Sequence, residues 1–247
     1  MSALAGNHLL LGAAVFFPRG RLLGPNLTRL AAPAIRRREV CLTFDDGPDP
    51  AVTPRVLELL DRYHAKASFF CIGEKAVAFP DIVREIARRG HSVENHSYGH
   101  SHAFAFYGLG RLRREVALAQ RTIVAICGQP PAFFRAPAGF RGVLLDAALS
   151  DTGLRYVSWT RRGYDAVSND SAAVLRRLTR GLAAGDVLLL HDGASARTRE
   201  GEPVVLAVLP ALLEQVAARD LIPVSLRMAW SEGPVARFAR PSNCDLL

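Results

Sequence analysis

The chain has 247 residues and 26.8 kDa, with 49% hydrophobic and 22% charged residues, enough apolar content for a sizeable core and too much for a disordered tail. Its formal net charge of +8 comes almost wholly from scattered arginines, since Lys66 and Lys75 are the only lysines. No clustered basic module accompanies that charge, so a nucleic-acid partner is not expected. The absence of G-x-x-x-x-G-K, of a strand-linked G-x-G-x-x-G and of G-x-S-x-G also argues against nucleotide-dependent or nucleophile-elbow chemistry.

Residues 1–37 read as an N-terminal extension. Its apolar run Leu9 to Phe17 is far shorter than the roughly 20 residues a spanning helix needs. No basic stretch precedes the run, as a secretory signal would require, while Arg19, Arg21 and Arg29 follow it. A packing segment or a peripheral membrane-surface contact is the expectation.

From 38 to 228 short apolar runs alternate with segments of helical period, the pattern of strands joined by crossover helices. The strands expected are Val40 to Phe44, Ala67 to Ile72, His91 to Glu94, Ala132 to Phe134, Tyr156 to Trp159, Val187 to Leu190 and Ile222 to Leu226. Thr53 reads as a helix cap with Pro54 in the first turn and Val56, Leu57, Leu60 and Tyr63 as the apolar stripe. Further helices are expected over Asp81 to Arg89, Gly110 to Ile126, Val143 to Thr152, Ser171 to Ala184 and Val204 to Arg219, several closed by glycine. Seven βα units in one domain suit a closed or nearly closed α/β barrel of parallel strands, or an open doubly wound sheet. Residues 229–247 form a C-terminal tail. In it Cys244-Asp245-Leu246-Leu247 only superficially fits a prenylation box, because Asp245 stands where an aliphatic residue belongs. Cys41, Cys71, Cys127 and Cys244 show no disulfide spacing and read as reduced thiols, which favours a cytoplasmic location or one peripheral to the inner membrane.

Polar residues that packing does not require gather after the strands: Asp45 and Asp46, then His96 and His100, then Arg135, Pro137 and Gly139, then Asp165, and finally His191 with Asp192. On a barrel these all fall on the C-terminal rim. His96 and His100, four apart, would share one side of a helical turn and with Asp46 offer two imidazoles and a carboxylate to one catalytic cation, zinc first. Adjacent Asp45 would remain ionised and could take a proton from water acidified by that ion. Two plainer readings stay open: H-x-x-x-H as an exposed or capping pair, and D-D-G-P-D-P as turn chemistry. His102, two residues from His100, points off the shared face and is left out.

TFDDGPDP, then KASFFCIG, then GHSVENHSYGH, with RAPAG at Arg135 to Gly139 and LLLHD at Leu188 to Asp192, resemble the NodB-like polysaccharide deacetylases, carbohydrate esterase family four. The resemblance covers about Val40 to Leu226. It implies a distorted (β/α) barrel and hydrolysis of an N-acetyl group from an amino-sugar polysaccharide or glycoconjugate, with a divalent metal, zinc or else cobalt, nickel or manganese. It also implies Asp45 as catalytic base, Asp46, His96 and His100 as metal ligands and His191 as general acid. Arg135 would pair with the base, Asp165 would tune His191, and Pro137, Ala138, Gly139 and Leu189 would contact substrate. One motif departs: Arg162 and Ala166 stand where an acid and a tryptophan are expected, and Ala138 replaces a frequent aromatic. That departure leaves an O-acetyl esterase and a non-catalytic glycan- or membrane-surface binder as alternatives.

Overall fold

A computed structural model of the chain describes residues 14–231. The apolar run at 9–13, His8 and the Cys244 box lie outside them. Strands β1 (Glu39–Asp45), β2 (Ala67–Cys71), β3 (Ser92–Asn95), β4 (Phe133–Phe134), β5 (Arg155–Tyr156), β6 (Arg161–Arg162) and β7 (Val187–His191) form one curled sheet. Their order is β5-β4-β3-β2-β1-β7-β6, and β8 (Ile222–Pro223) pairs with the start of β1. Every ladder is parallel. The helices are α1 (Ala32–Arg36), α2 (Thr53–Arg62), α3 (Gly73–Ala78), α4 (Pro80–Arg88), α5 (Leu109–Cys127), α6 (Leu145–Leu149), α7 (Ser171–Thr179), α8 (Val204–Ala217) and α9 (Leu226–Trp230).

The strands read as unbroken apolar runs because both faces are covered. Residues of one parity, Leu42, Phe44, Phe69, Leu188 and Leu190, pack with α2 and α8 in the outer core layer. The other parity turns into the lumen, where Cys41, Phe70, Phe133, Val157 and Val187 fill the lower barrel with Val224 and Leu226. Four residues further along the same lumen-facing rows stand Asp45 on β1 and His191 on β7, in register with each other. A period of two thus delivers polar side chains to the mouth of an apolar tube.

No ladder joins β5 to β6 among the described residues. The chain at 27–30 fills that seam: Leu27 bridges Val157 and Arg29 bridges Asp186, with Leu27 N–H donating to the Tyr156 carbonyl (3.0 Å) and Leu30 N–H to that of Gly185 (2.8 Å). Asn26, buried beside it, donates to the Pro18 and Gly20 carbonyls (2.9 and 3.0 Å) and accepts from the Ser158 hydroxyl (3.0 Å).

Several expectations shift. The expected strand Tyr156 to Trp159 ends at Tyr156, since Val157 pairs with the seam segment, and the unexpected β6 follows. Ile222 to Leu226 shortens to two residues because the Ser225 hydroxyl accepts from Met228 N–H and starts α9. Helix α7 stops at Thr179, well before Ala184, as Arg180 turns extended and Gly181 adopts φ 67°. Thr53 is not a cap: its hydroxyl accepts from Asp49 N–H and donates to Asp192. Among the described residues Cys41, Cys71 and Cys127 are free thiols, and no helix is long and apolar enough to cross a membrane.

Candidate active site

Asp45 ends β1, and Asp46 follows in the left-handed region at φ 69°, a conformation aspartate tolerates better than most side chains. That turn swings Asp46 toward the loop after β3. There Asp46 Oδ1 lies 3.2 Å from His96 Nε2 and 2.9 Å from His100 Nε2. The expected helical turn is absent; 96–100 is an irregular loop, with Ser97 and His100 at φ 63° and 48°. Asn95 Oδ1 accepts from Ser97 N–H, and Glu115 on α5 accepts from Tyr98 and Gly99 N–H, so side chains replace helical bonds. The histidines still converge, their ring centroids 4.8 Å apart. His102 faces His100 edge-on at 6.3 Å, outside the cluster of Asp46, His96 and His100.

These three donors fit a divalent cation. His96 Nδ1 donates to the Arg135 carbonyl at 2.8 Å, which fixes the tautomer and leaves the Nε2 lone pair facing Asp46. His100 Nε2 is buried and close to Asp46, yet lacks the alignment of a hydrogen bond. Ligand atoms that approach without sharing a proton are what a bound cation requires. Burial would raise the Asp46 carboxyl, but His100 and His96 hold it far below the usual carboxylate range. Burial would likewise depress His96, and the charge of Asp45 followed by contact with Asp46 raises it instead.

Asp45 sits beside this cluster, its Oδ2 3.8 Å from His96 Nε2. Its other oxygen accepts from the wholly buried Arg135 at 2.6 Å. Burying a guanidinium is costly without full pairing. Arg135 therefore also donates to the Thr43 hydroxyl and to the Val157 and Ser158 carbonyls, and lies 4.1 Å above the Phe70 ring. Across the rim, fully buried Asp165 grips His191 twice, through backbone N–H (2.7 Å) and Nδ1–H (2.9 Å). Burial lowers the His191 pKa, but the Asp165 hydrogen bond and charge outweigh it and raise the group above its ordinary value.

Pro137–Gly139 makes a single 3-10 turn after Arg135. Exposed Ala138 has φ 54° and ψ 5° within it, and Gly139 (φ 75°) lies so close to Trp159 that an added Cβ would meet the indole at 2.5 Å. Leu189 is buried on the same strand face as His191.

The family model described as polysaccharide deacetylase matches residues 33–157. A peptidoglycan-N-acetylglucosamine deacetylase of Bacillus cereus is 30% identical over 178 residues, which cover 71% of this chain and 82% of that protein. The chain belongs to the polysaccharide deacetylase family. A chitooligosaccharide deacetylase of Azorhizobium caulinodans is 32% identical over 187 residues, 73% of this chain and 89% of that one. In structure, the deacetylase resembles a peptidoglycan N-acetylglucosamine deacetylase solved with 4-naphthalen-1-yl-N-oxidanyl-benzamide. The TM-score is 0.73 at 26% identity, covering 83% of this chain and 92% of that one. The curled (β/α) barrel and the hydrolase class follow.

Further residues shape the deacetylase site without having been assigned a part in the sequence. Asp192 is fully buried and accepts from the Thr53 hydroxyl at 2.6 Å, burial pushing its pKa up to about 7. Lys75 donates to the Asp46 carbonyl at 2.7 Å. Asp192 was visible beside His191, but only the fold shows that it props the loop after β1.

Proposed function

We propose that this deacetylase removes the N-acetyl group from an amino sugar in a polysaccharide or glycoconjugate by metal-assisted hydrolysis. One observation carries the reading: the Asp46–His96–His100 donor set, the Arg135–Asp45 pair and the Asp165–His191 pair share one barrel rim. The relatives named for peptidoglycan and chitooligosaccharide deacetylation support a polymer or oligomer of N-acetylglucosamine.

A divalent cation held by Asp46, His96 and His100, zinc first, would polarise the amide carbonyl and acidify a water. Asp45, kept oriented by Arg135, takes the proton as that water's oxygen bonds to the amide carbon. Charge then moves onto the carbonyl oxygen, for which the Ala138 N–H, outside the described hydrogen bonds of its turn, is a donor. His191 has Nδ1 committed to Asp165, so Nε2 delivers the proton that the departing amine needs as the C–N bond breaks.

Zinc- or cobalt-supplied protein should release acetate from N-acetylglucosamine oligomers. Asp45→Asn should lower kcat by about 10²- to 10⁴-fold while retaining stoichiometric metal. Unchanged acetate release in that variant, or no metal uptake by the parent protein, would overturn the reading.

A further inference from the structure

A cavity of about 880 Å³ opens between the chain at 14–23 and the loops around β6. It shares a wall with the active site. Trp159 packs against Gly139 and stands 6.0 Å from the Arg135 guanidinium, and Arg162 pairs in register with Leu189, two residues before His191.

The charge of this cavity is one-sided. Arg19, Arg21, Arg141, Arg161, Arg162 and Arg177 line it, and no described lining residue is acidic. Arg141 and Arg161 are engaged elsewhere, by Asp146 and Asp186. Among the described residues the others are not paired with acids. Arg162 lies between the Trp159 and Tyr164 rings (5.2 and 4.9 Å), and its Nε is buried without a hydrogen-bond partner. Arg177 and Arg19 reach only the Gly163 and Thr160 carbonyls, at 3.4 and 3.3 Å. The Arg21 guanidinium makes no hydrogen bond among the described residues. Arg162 and Arg177 both lie over the Tyr164 ring, and guanidinium forks without acidic partners match the geometry of phosphate oxygens.

We propose that this cavity binds a phosphate or diphosphate group carried by the substrate, so that the amino sugar reaching Asp45 and His191 is a glycosyl phosphate or diphosphate. The inference rests on the deacetylase reading and narrows its substrate. Four arginines without acidic partners among the described residues favour more than one negative charge. Arg162, standing where the family's motif places an acid, then adds a positive charge to the cavity where a negative one would stand. Exposed Phe16, Phe17 and Leu22 on the same wall offer an apolar surface beside the arginines, where a lipid carried by the phosphate would lie.

The test uses the full chain with three acetylated substrates: a neutral N-acetylglucosamine oligomer, a nucleoside diphosphate N-acetylglucosamine, and a polyprenyl diphosphate N-acetylglucosamine in detergent micelles. The expected result is kcat/KM at least about tenfold higher for one or both diphosphates than for the oligomer at low salt. That ratio should collapse in Arg162→Gln and fall in the exposed pair Arg19→Gln/Arg21→Gln. A gain confined to the micellar substrate assigns the phosphate to a lipid carrier; an equal gain for both assigns it to a soluble donor. Separately, calorimetry with inorganic pyrophosphate on Asp45→Asn protein should give binding that Arg162→Gln weakens about tenfold. No preference among substrates, or no pyrophosphate binding, overturns the cavity's role. Pyrophosphate binding without acetate release from any substrate instead sinks the deacetylase reading.

Discussion

Two carboxylates on the rim do opposite things to their partners. Arg135 is consumed in holding Asp45, whereas Asp165 changes the proton affinity of His191. A general acid works in its protonated form, so activity falls as pH rises through its pKa, here above the ordinary histidine value. Replacing Asp165 by Asn removes the charge that raises the group and one of the two oxygens that accept from His191, and leaves the burial that lowers it. The alkaline limb of the kcat/KM profile should therefore move to lower pH, checked by acetate release between pH 6 and 10. An unmoved limb would mean that His191 does not set it. That Asp45, Asp46, His96, His100, Arg135, Asp165 and His191 gather at one rim was legible because each stands at or after the end of an apolar run in the sequence. The backbone that joins them was not. A four-residue histidine spacing reads as a helical turn, and only the contacts of neighbouring Asn95 and of Glu115, distant in sequence, show why the loop is irregular.

The loops after β1 and β7 interlock through two glycines. An added Cβ on Gly47 would strike Asp192 Oδ2 at 2.2 Å, and one on Gly193 would lie 1.9 Å from the Asp46 carbonyl oxygen. Gly193 N–H donates to the Asp45 carbonyl, and the Gly47 carbonyl accepts from Ile72 N–H. This contact sets where Asp46 stands relative to both histidines. Gly193→Ala must push the Asp46 backbone away, and metal affinity should drop about 10- to 100-fold with the fold retained; competition with a chromogenic chelator and far-UV circular dichroism measure both. Such an interlock is invisible in sequence, where each glycine looks like ordinary turn chemistry. Strand β6 was equally hidden, since Arg161-Arg162 has no apolar signature and is placed by pairing with Leu188 and Leu189. The odd residues at 162 and 166 looked like the decay of a motif. In the fold, Arg162 faces a cavity rather than an empty place.

At the scale of the molecule, alternation of strands and helices carried the barrel, because parallel strands buried on both faces must be apolar throughout. It could not show how the barrel is completed. The segment at 27–30 is too short to register as a strand, yet it bridges β5's continuation at Val157 to Asp186 ahead of β7. Leu30 is 5% exposed and packs with Val157, Val187 and Val224. Leu30→Ala should cost about 2–5 kcal/mol, as for other buried leucines, read from urea denaturation. A loss below about 0.5 kcal/mol would show that the seam is not structural.

Asn26 gives that seam a further meaning. One primary amide ties down the bend at Pro18 and Gly20 with its nitrogen and, with its oxygen, takes the hydroxyl of Ser158, whose own carbonyl receives Arg135. The stretch that roofs the arginine-lined chamber and the cation that steadies the proton acceptor are thus fastened to the same peg. The two proposed roles, recognition and turnover, thus share one fastening ahead of the first strand, in residues that the sequence motifs leave out.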